Sequence, residues 1–264
     1  MRYELLGSLR LNDDGALSVL DSRKVETLLA ALLIRSDQVV TSEQLITELW
    51  GNRLPNRATA GLHVYVSQLR KSLRSPERPD SPVVTRSPGY LLRLGGDETD
   101  VDVFNELTAR GRAHVGAELH EKALEAFERA LALWRGPALS EFGNGPIIDG
   151  FVAQITEARL ECSEELIATY LRLGRHREVV GRLFALISEH PLRETFHRQL
   201  MLALYRSERQ AEALHVYHMA RKRLHDEMGL EPGQALQDLQ HAILTADTEG
   251  VERYGAETEH WAIA

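Results

Sequence analysis

Between Arg53 and Arg93 the chain sets eight basic side chains, Arg53, Arg57, Arg70, Lys71, Arg74, Arg78, Arg86 and Arg93, against two acids, Glu77 and Asp80. Guanidinium and ammonium groups donate to phosphate oxygens or to the acceptor edge of a guanine. The hydroxyls and amide among them, Thr59, Ser67, Ser87 and Gln68, offer shorter polar contacts, and His63 adds a ring that can donate or accept. Val64 supplies an apolar contact of the kind a thymine methyl accepts. A charge island of that sign, carried on a helix and a hairpin, suits recognition of a polyanion.

The surrounding charge sharpens that reading. The whole chain carries a formal charge of -8, yet residues 1–94 hold 13 basic and 10 acidic side chains, and the remainder holds 18 basic and 29 acidic. One end is built to meet an acidic partner while the other repels it. With 264 residues, 43% of them hydrophobic and 27% charged, the chain is long enough for two globular domains.

The elements that position these residues follow from pattern. Short apolar runs at Tyr3 to Leu6, Leu9 to Leu11 and Ala16 to Leu20, separated by turn-forming residues, predict small antiparallel strands. From about Ser22, Val25, Leu28, Leu29, Leu32 and Leu33 repeat at helical spacing. Thr41-Ser42-Glu43-Gln44 is a capping box that opens a second, short helix ending at Leu49 or Trp50. Gly51 to Pro55 interrupts it. A third helix then begins at Asn56 or Arg57 and runs to about Leu73, with Leu62, Val66, Leu69 and Leu73 on one face. Opposite that apolar face lie Arg57, Ala60, Val64, Ser67 and Lys71, with His63, Arg70 and Arg74 on a flank. Val83 to Thr85 and Tyr90 to Leu94 predict a hairpin whose Pro88-Gly89 turn projects Arg86 and Ser87. Small strands, three helices and a terminal hairpin describe a winged helix-turn-helix, whose third helix fits a major groove about 12 Å wide.

Past Gly95-Gly96 no further strands are expected, and helix follows helix. Ala123, Phe127 and Ala130 share one spacing with Val179, Leu183 and Leu186 and with Ala213, Tyr217 and Ala220. The second and third sets lie 34 positions apart, the period of tetratricopeptide helix pairs. Tyr170, Gly174 and Pro191 fall at matching places in the middle unit. The first two sets are 56 apart, which assigns about 22 inserted residues to the stretch from Gly136-Pro137 to Pro146. A last helix is expected from Pro232 or Gln234 to Leu244, and the residues after it as a flexible tail.

Other chemistries find little support. GxxxxGK[ST], GxSxG, HExxH and CxxC are all absent, so no enzymatic constellation, metal or cofactor is expected. Cys162, the sole cysteine, forms no intramolecular disulfide. It fits a reducing cytoplasm. His215 and His218 sit one turn apart without a nearby third ligand and read as surface or packing residues. The N-terminus has no signal-peptide pattern and no stretch nears the length of a membrane span, so a cytosolic protein without a membrane partner is expected.

Taken in order, LGSLRL, TLLAALL, VVTSEQLITELWG, LHVYVSQLRKSL, VVTRSPGYLL, FERALALWRGPAL and LHDEMGLEPGQALQDLQHAIL resemble the antibiotic regulatory protein family of actinobacterial transcription activators. The resemblance runs to about residue 245. It implies an α+β fold at the N-terminus, an OmpR-like winged helix-turn-helix over 1–95. It implies an all-α, tetratricopeptide-like bacterial transcriptional activator domain over 96–246, with 247–264 left as the tail. It further implies a sequence-specific activator that binds direct repeats in double-stranded promoter DNA near the −35 element. Such an activator recruits RNA polymerase holoenzyme, through its sigma or alpha subunit, to antibiotic biosynthesis genes. Carried onto this sequence, Arg57 to Arg74 is the recognition helix and Arg86 to Tyr90 the wing. The expected DNA-contacting set is Arg57, Thr59, His63, Val64, Ser67, Gln68, Arg70, Lys71, Arg74, Arg86, Ser87 and Gly89. Direct repeats place two copies in tandem, about one helical turn (~34 Å) apart, as a head-to-tail homodimer on DNA. Larger relatives append a nucleotide-binding region, so ATP-driven or phosphorylation-linked control is not expected of this chain. The other reading of the residues is a helical-repeat adaptor that docks an acidic protein and reads no DNA sequence.

Overall fold

The computed structural model describes residues 1–13, 16–18, 20, 22–74, 80–142, 145–247 and 249–251. The expected tail is described only to Val251, and Arg78 and Glu77 of the basic stretch lie outside the described residues. By contacts the chain divides into two compact units. One joins Met1–Glu106 with Ala130–Arg159, and the other joins Leu107–Arg129 with the residues from Leu160 onward.

In the first unit, β1 (Arg2–Glu4), β2 (Arg10–Asp13) and β3 (Ala16–Ser18) form the expected antiparallel meander, with Tyr3 opposite Leu11. Three helices follow: α1 (Arg23–Ile34), α2 (Ser42–Trp50) and α3 (Ala58–Ser72). Each presents its apolar stripe to one core. Leu28, Leu29 and Leu32 come from α1, Leu45 and Leu49 from α2, and Leu62, Val66 and Leu69 from α3, all buried. Side chains of this kind are each worth about 1.5–3 kcal/mol when removed from water. The capping box opens α2 as read: the Gln44 amide donates to the Thr41 hydroxyl at 3.1 Å, and the Thr41 amide donates to the Gln44 side-chain oxygen at 3.0 Å.

The hairpin is β5 (Val83–Arg86) and β6 (Gly89–Leu92), with a cis Ser87–Pro88 bond in its turn. It is one strand larger than expected. Val40–Thr41 forms β4 and pairs with β6, giving a sheet in the order β4-β6-β5. Two residues are too few for an alternation signal, so only the partner strand defines this element.

A second correction falls after Gly95-Gly96, where Glu98–Thr99 forms β7 and lies parallel to β1. Strands therefore do not stop at the glycines. The following residues cap α4 (Asp100–Gly116): the Asp102 amide donates to the Thr99 hydroxyl at 3.0 Å, and that hydroxyl donates to the Asp102 carboxylate at 2.7 Å.

The remaining helices are α5 (His120–Ala132), α6 (Pro146–Arg172), α7 (His176–Glu189), α8 (Glu194–Arg206), α9 (Gln210–Met228) and α10 (Gln234–Leu244). Of the repeated positions, Ala123, Phe127, Ala130, Val179, Leu183, Ala213, Tyr217 and Ala220 are buried, and Leu186 is half-buried. In the second unit Phe127 packs over Gly111 of α4, where an added Cβ would stand 2.4 Å from its ring. Helix α8 is the most enclosed, contacting α7, α9 and α10. The inserted residues are not confined to one loop. Part fills the connection 133–145, and part lengthens α6, which has 27 residues where α5 and α8 have 13 each.

Candidate DNA interface

Helix α3 owes its orientation to four buried side chains and one bare position. Leu62, Val66, Leu69 and Leu73 are each 2% exposed or less. On the α2 side, Gly61 lies under the Trp50 ring, where a Cβ would come within 3.1 Å of it. Trp50 also meets Tyr65 with ring centroids 5.9 Å apart. A methyl at position 61 would require the Trp50 ring to give way by a few tenths of an ångström. The sequence reading did not single out Gly61, because its only signal was a glycine inside a helical pattern.

With that face fixed, the opposite one is open. Arg57, Thr59, Ala60, His63, Val64, Ser67, Gln68, Lys71 and Arg74 are all exposed, and Val64 is 54% exposed. Arg57 is the residue just ahead of α3 and Arg74 lies just past its end. At 1.5 Å per residue the 15 residues of α3 extend about 22 Å, enough for several base pairs along a groove. Among the described residues, the side chains of Arg57, Lys71, Arg74 and Arg86 are in no ion pair, which leaves their donors available. Arg86 and Ser87 are exposed at the hairpin tip.

Two residues of the expected contact set are placed otherwise. Gly89 is buried, and a Cβ there would stand 1.9 Å from the Val40 carbonyl oxygen. Its bare backbone lets β4 and β6 meet, and it offers no surface of its own. Arg70 is half-buried and already engaged: its Nε donates to the Val83 carbonyl at 3.0 Å and its Nη2 to the Thr85 hydroxyl at 2.8 Å. Helix and hairpin are thereby joined on one side. The hairpin turn is held from the other side by Ser42, whose amide donates to the Pro88 carbonyl at 3.2 Å.

Two buried carboxylates of the same unit carry no local sequence signal. Glu48 of α2 is 4% exposed and accepts from the Ile147 and Ile148 amides, each at 2.9 Å. Those are early, otherwise unpaired amides of α6, which opens on Pro146, a residue favoured at a first helical position. Gly145 precedes it without a side chain because the Glu48 carboxylate fills the space: a Cβ there would lie 2.1 Å from Oε1. Helix α6 is thus capped by a residue of the helix-turn-helix, 99 positions away in sequence. Asp100 does similar work, accepting from the Leu5 amide at 2.7 Å and the Leu6 amide at 3.0 Å, with Arg135 at 3.5 Å. Burial pushes both carboxyls above the ordinary carboxylate range, and the amide donors act in the opposite direction.

Elsewhere the chemistry is quiet. Burial pushes the Cys162 thiol up to about 12, so the thiolate is scarce at neutral pH. Among the described residues no group of three metal-ligating side chains gathers, and no helix is long and apolar enough to cross a membrane.

Comparison with known proteins identifies two family matches along the chain. A family model described as a bacterial transcriptional activator domain matches residues 99–244, and one described as the C-terminal region of transcriptional regulatory proteins matches residues 19–92. The chain is 38% identical to the regulatory protein DnrI of Streptomyces peucetius, over 97% of this chain and 96% of that one. It is 35% identical to the transcriptional regulator RedD of Streptomyces coelicolor, over 94% and 71%. Among solved structures, Mycobacterium tuberculosis EmbR in complex with a low-affinity phosphopeptide superposes with a TM-score of 0.88 at 30% identity, covering 97% of this chain and 69% of EmbR. The chain belongs to the antibiotic regulatory protein family, transcription regulators and not enzymes, in which a DNA-binding winged helix precedes a bacterial transcriptional activator domain.

Proposed function

We propose that this regulator binds direct repeats in double-stranded promoter DNA near the −35 element and, from there, recruits RNA polymerase holoenzyme to antibiotic biosynthesis genes in the cytoplasm. The observation that carries the reading is the open face of α3, continuous with the hairpin and lined by unpaired cations. In this assignment Thr59, His63, Val64, Ser67, Gln68 and Lys71 face base edges. Arg57 and Arg74 hold phosphates at the two ends of the helix, and Arg86 and Ser87 form the wing. Two copies sit head to tail on the repeats, each over one half-site. Functionally the chain divides at residues 95 and 96 into a reading module and an activating one, and the surplus of acids in the second keeps it off the DNA. Polymerase is contacted through its sigma or alpha subunit.

Salt dependence tests the electrostatic part. With about six phosphates neutralised per copy, the logarithm of the binding constant is expected to fall against log salt with a slope near −5. A complex indifferent to salt, or no complex on promoter duplex, would overturn the assignment.

A further inference from the structure

The side chain of Arg70 points away from the open face of its helix and into the hairpin. Its planar fork makes two directed bonds, one to a backbone carbonyl at Val83 and one to a side-chain hydroxyl at Thr85, both on β5. Its guanidinium carbon also lies 5.8 Å from the centre of the Tyr90 ring on β6. Leu69, its neighbour in sequence, is fully buried, so the helix under Arg70 cannot roll freely. A guanidinium with three engagements on two strands behaves as a fixed strut, where a lysine would supply one mobile point charge.

We infer that Arg70 is a positioning residue that sets the angle between the reading helix and the wing, and through that angle the sequence specificity of the protein. The inference rests on the function proposed above. A helix in the major groove and a wing on the adjacent backbone can both engage only if their separation matches the DNA. The Arg70 fork fixes that separation before DNA arrives, so the two contacts add on one site and mismatch on others. Preorganisation of this kind changes discrimination between sequences and leaves the total charge on the surface untouched.

Two variants separate this role from a plain phosphate contact. Arg70→Lys keeps the charge and loses the fork, and Thr85→Val keeps Arg70 and removes one of its acceptors. In the free protein, amide hydrogen exchange over residues 83–92 is expected to quicken in both variants, while exchange within α1 stays as in the wild type. Unchanged exchange in the hairpin overturns the strut. On DNA, Arg70→Lys is expected to lose about tenfold in preference for the selected site over random duplex, with its salt slope unaltered. The double variant should lose no more than the worse single one, because both changes break the same link. Wild-type site preference in Arg70→Lys, uniform weakening on all sequences, or additive losses in the double variant would each overturn the inference. A wild-type chain that shows no sequence preference would remove the proposed function itself, and the exchange measurement on free protein distinguishes that outcome from failure of the strut.

Discussion

Replacing Glu48 by leucine is expected to cost about 2–6 kcal/mol of stability, from two buried amide donors left without an acceptor at about 1–3 kcal/mol each. A domain of ordinary stability holds about 5–15 kcal/mol in all, so the loss is large. The amides belong to Ile147 and Ile148, which are themselves buried in the same core as α1, α2 and α3. Uncapping α6 therefore disturbs the body that carries the reading helix. A fragment ending at Glu106 lacks these residues and is expected to show the same weakness. A urea titration followed by circular dichroism reads both effects, and a midpoint equal to wild type would contradict them. The raised pKa of Glu48 sets the pH trend. Between the ordinary carboxylate value and the raised one, the folded chain keeps a proton that the unfolded chain releases. Wild-type stability falls with rising pH across that window, and Glu48→Leu removes this part of the slope.

Gly89→Ala acts at the hairpin. A methyl group 1.9 Å from the Val40 carbonyl oxygen, and 2.7 Å from the Thr41 Cα, meets the backbone of β4, and no side chain can move aside to admit it. The strands must separate, which breaks the Val40–Tyr90 and Thr41–Gly89 pairings. We expect a cost of about 3 kcal/mol, at the top of the usual range for overpacking. The wing loses its anchor to the N-terminus of α2, so DNA affinity should fall even though no charge has changed. The comparison to make is Ser87→Ala, an exposed neighbour in the same turn whose stability should stay within about 0.5 kcal/mol of wild type. Equal behaviour of the two variants would show that the close approach at Gly89 does not matter.

Much of this surface could be read from sequence because it follows periodic rules. The apolar residues Leu62, Val66, Leu69 and Leu73 announced the buried face of α3, which left the other face to be deduced by subtraction. The capping box marks the start of α2 to the residue, and the 34-residue recurrence marks α7 and α9. What stayed hidden depends on partners far away in the chain. Strands of two residues, β4 and β7, have no pattern of their own and exist because β6 and β1 lie beside them. Arg70 looked like one more cation on a basic helix, and only the proximity of β5 assigns its fork to Val83 and Thr85. Gly89 looked like part of a projecting turn, yet the position is set by the carbonyl it must clear. Glu48 carries an acidic side chain within a short amphipathic helix, where a solvated position is the ordinary expectation. Its partners are 99 and 100 residues on, beyond the reach of any local rule.

In the proposed function, α3 and the wing read the sequence of duplex DNA. Selection of binding sites from a random-sequence duplex pool, run in parallel on the wild type and on a variant with Val64, Ser67 and Lys71 all changed to alanine, tests it directly. The wild type should enrich a direct repeat whose half-sites are about one helical turn apart, and the variant should retain folding and charge-driven binding while enriching no motif. Enrichment of the same motif by both proteins would show that the reading surface lies elsewhere.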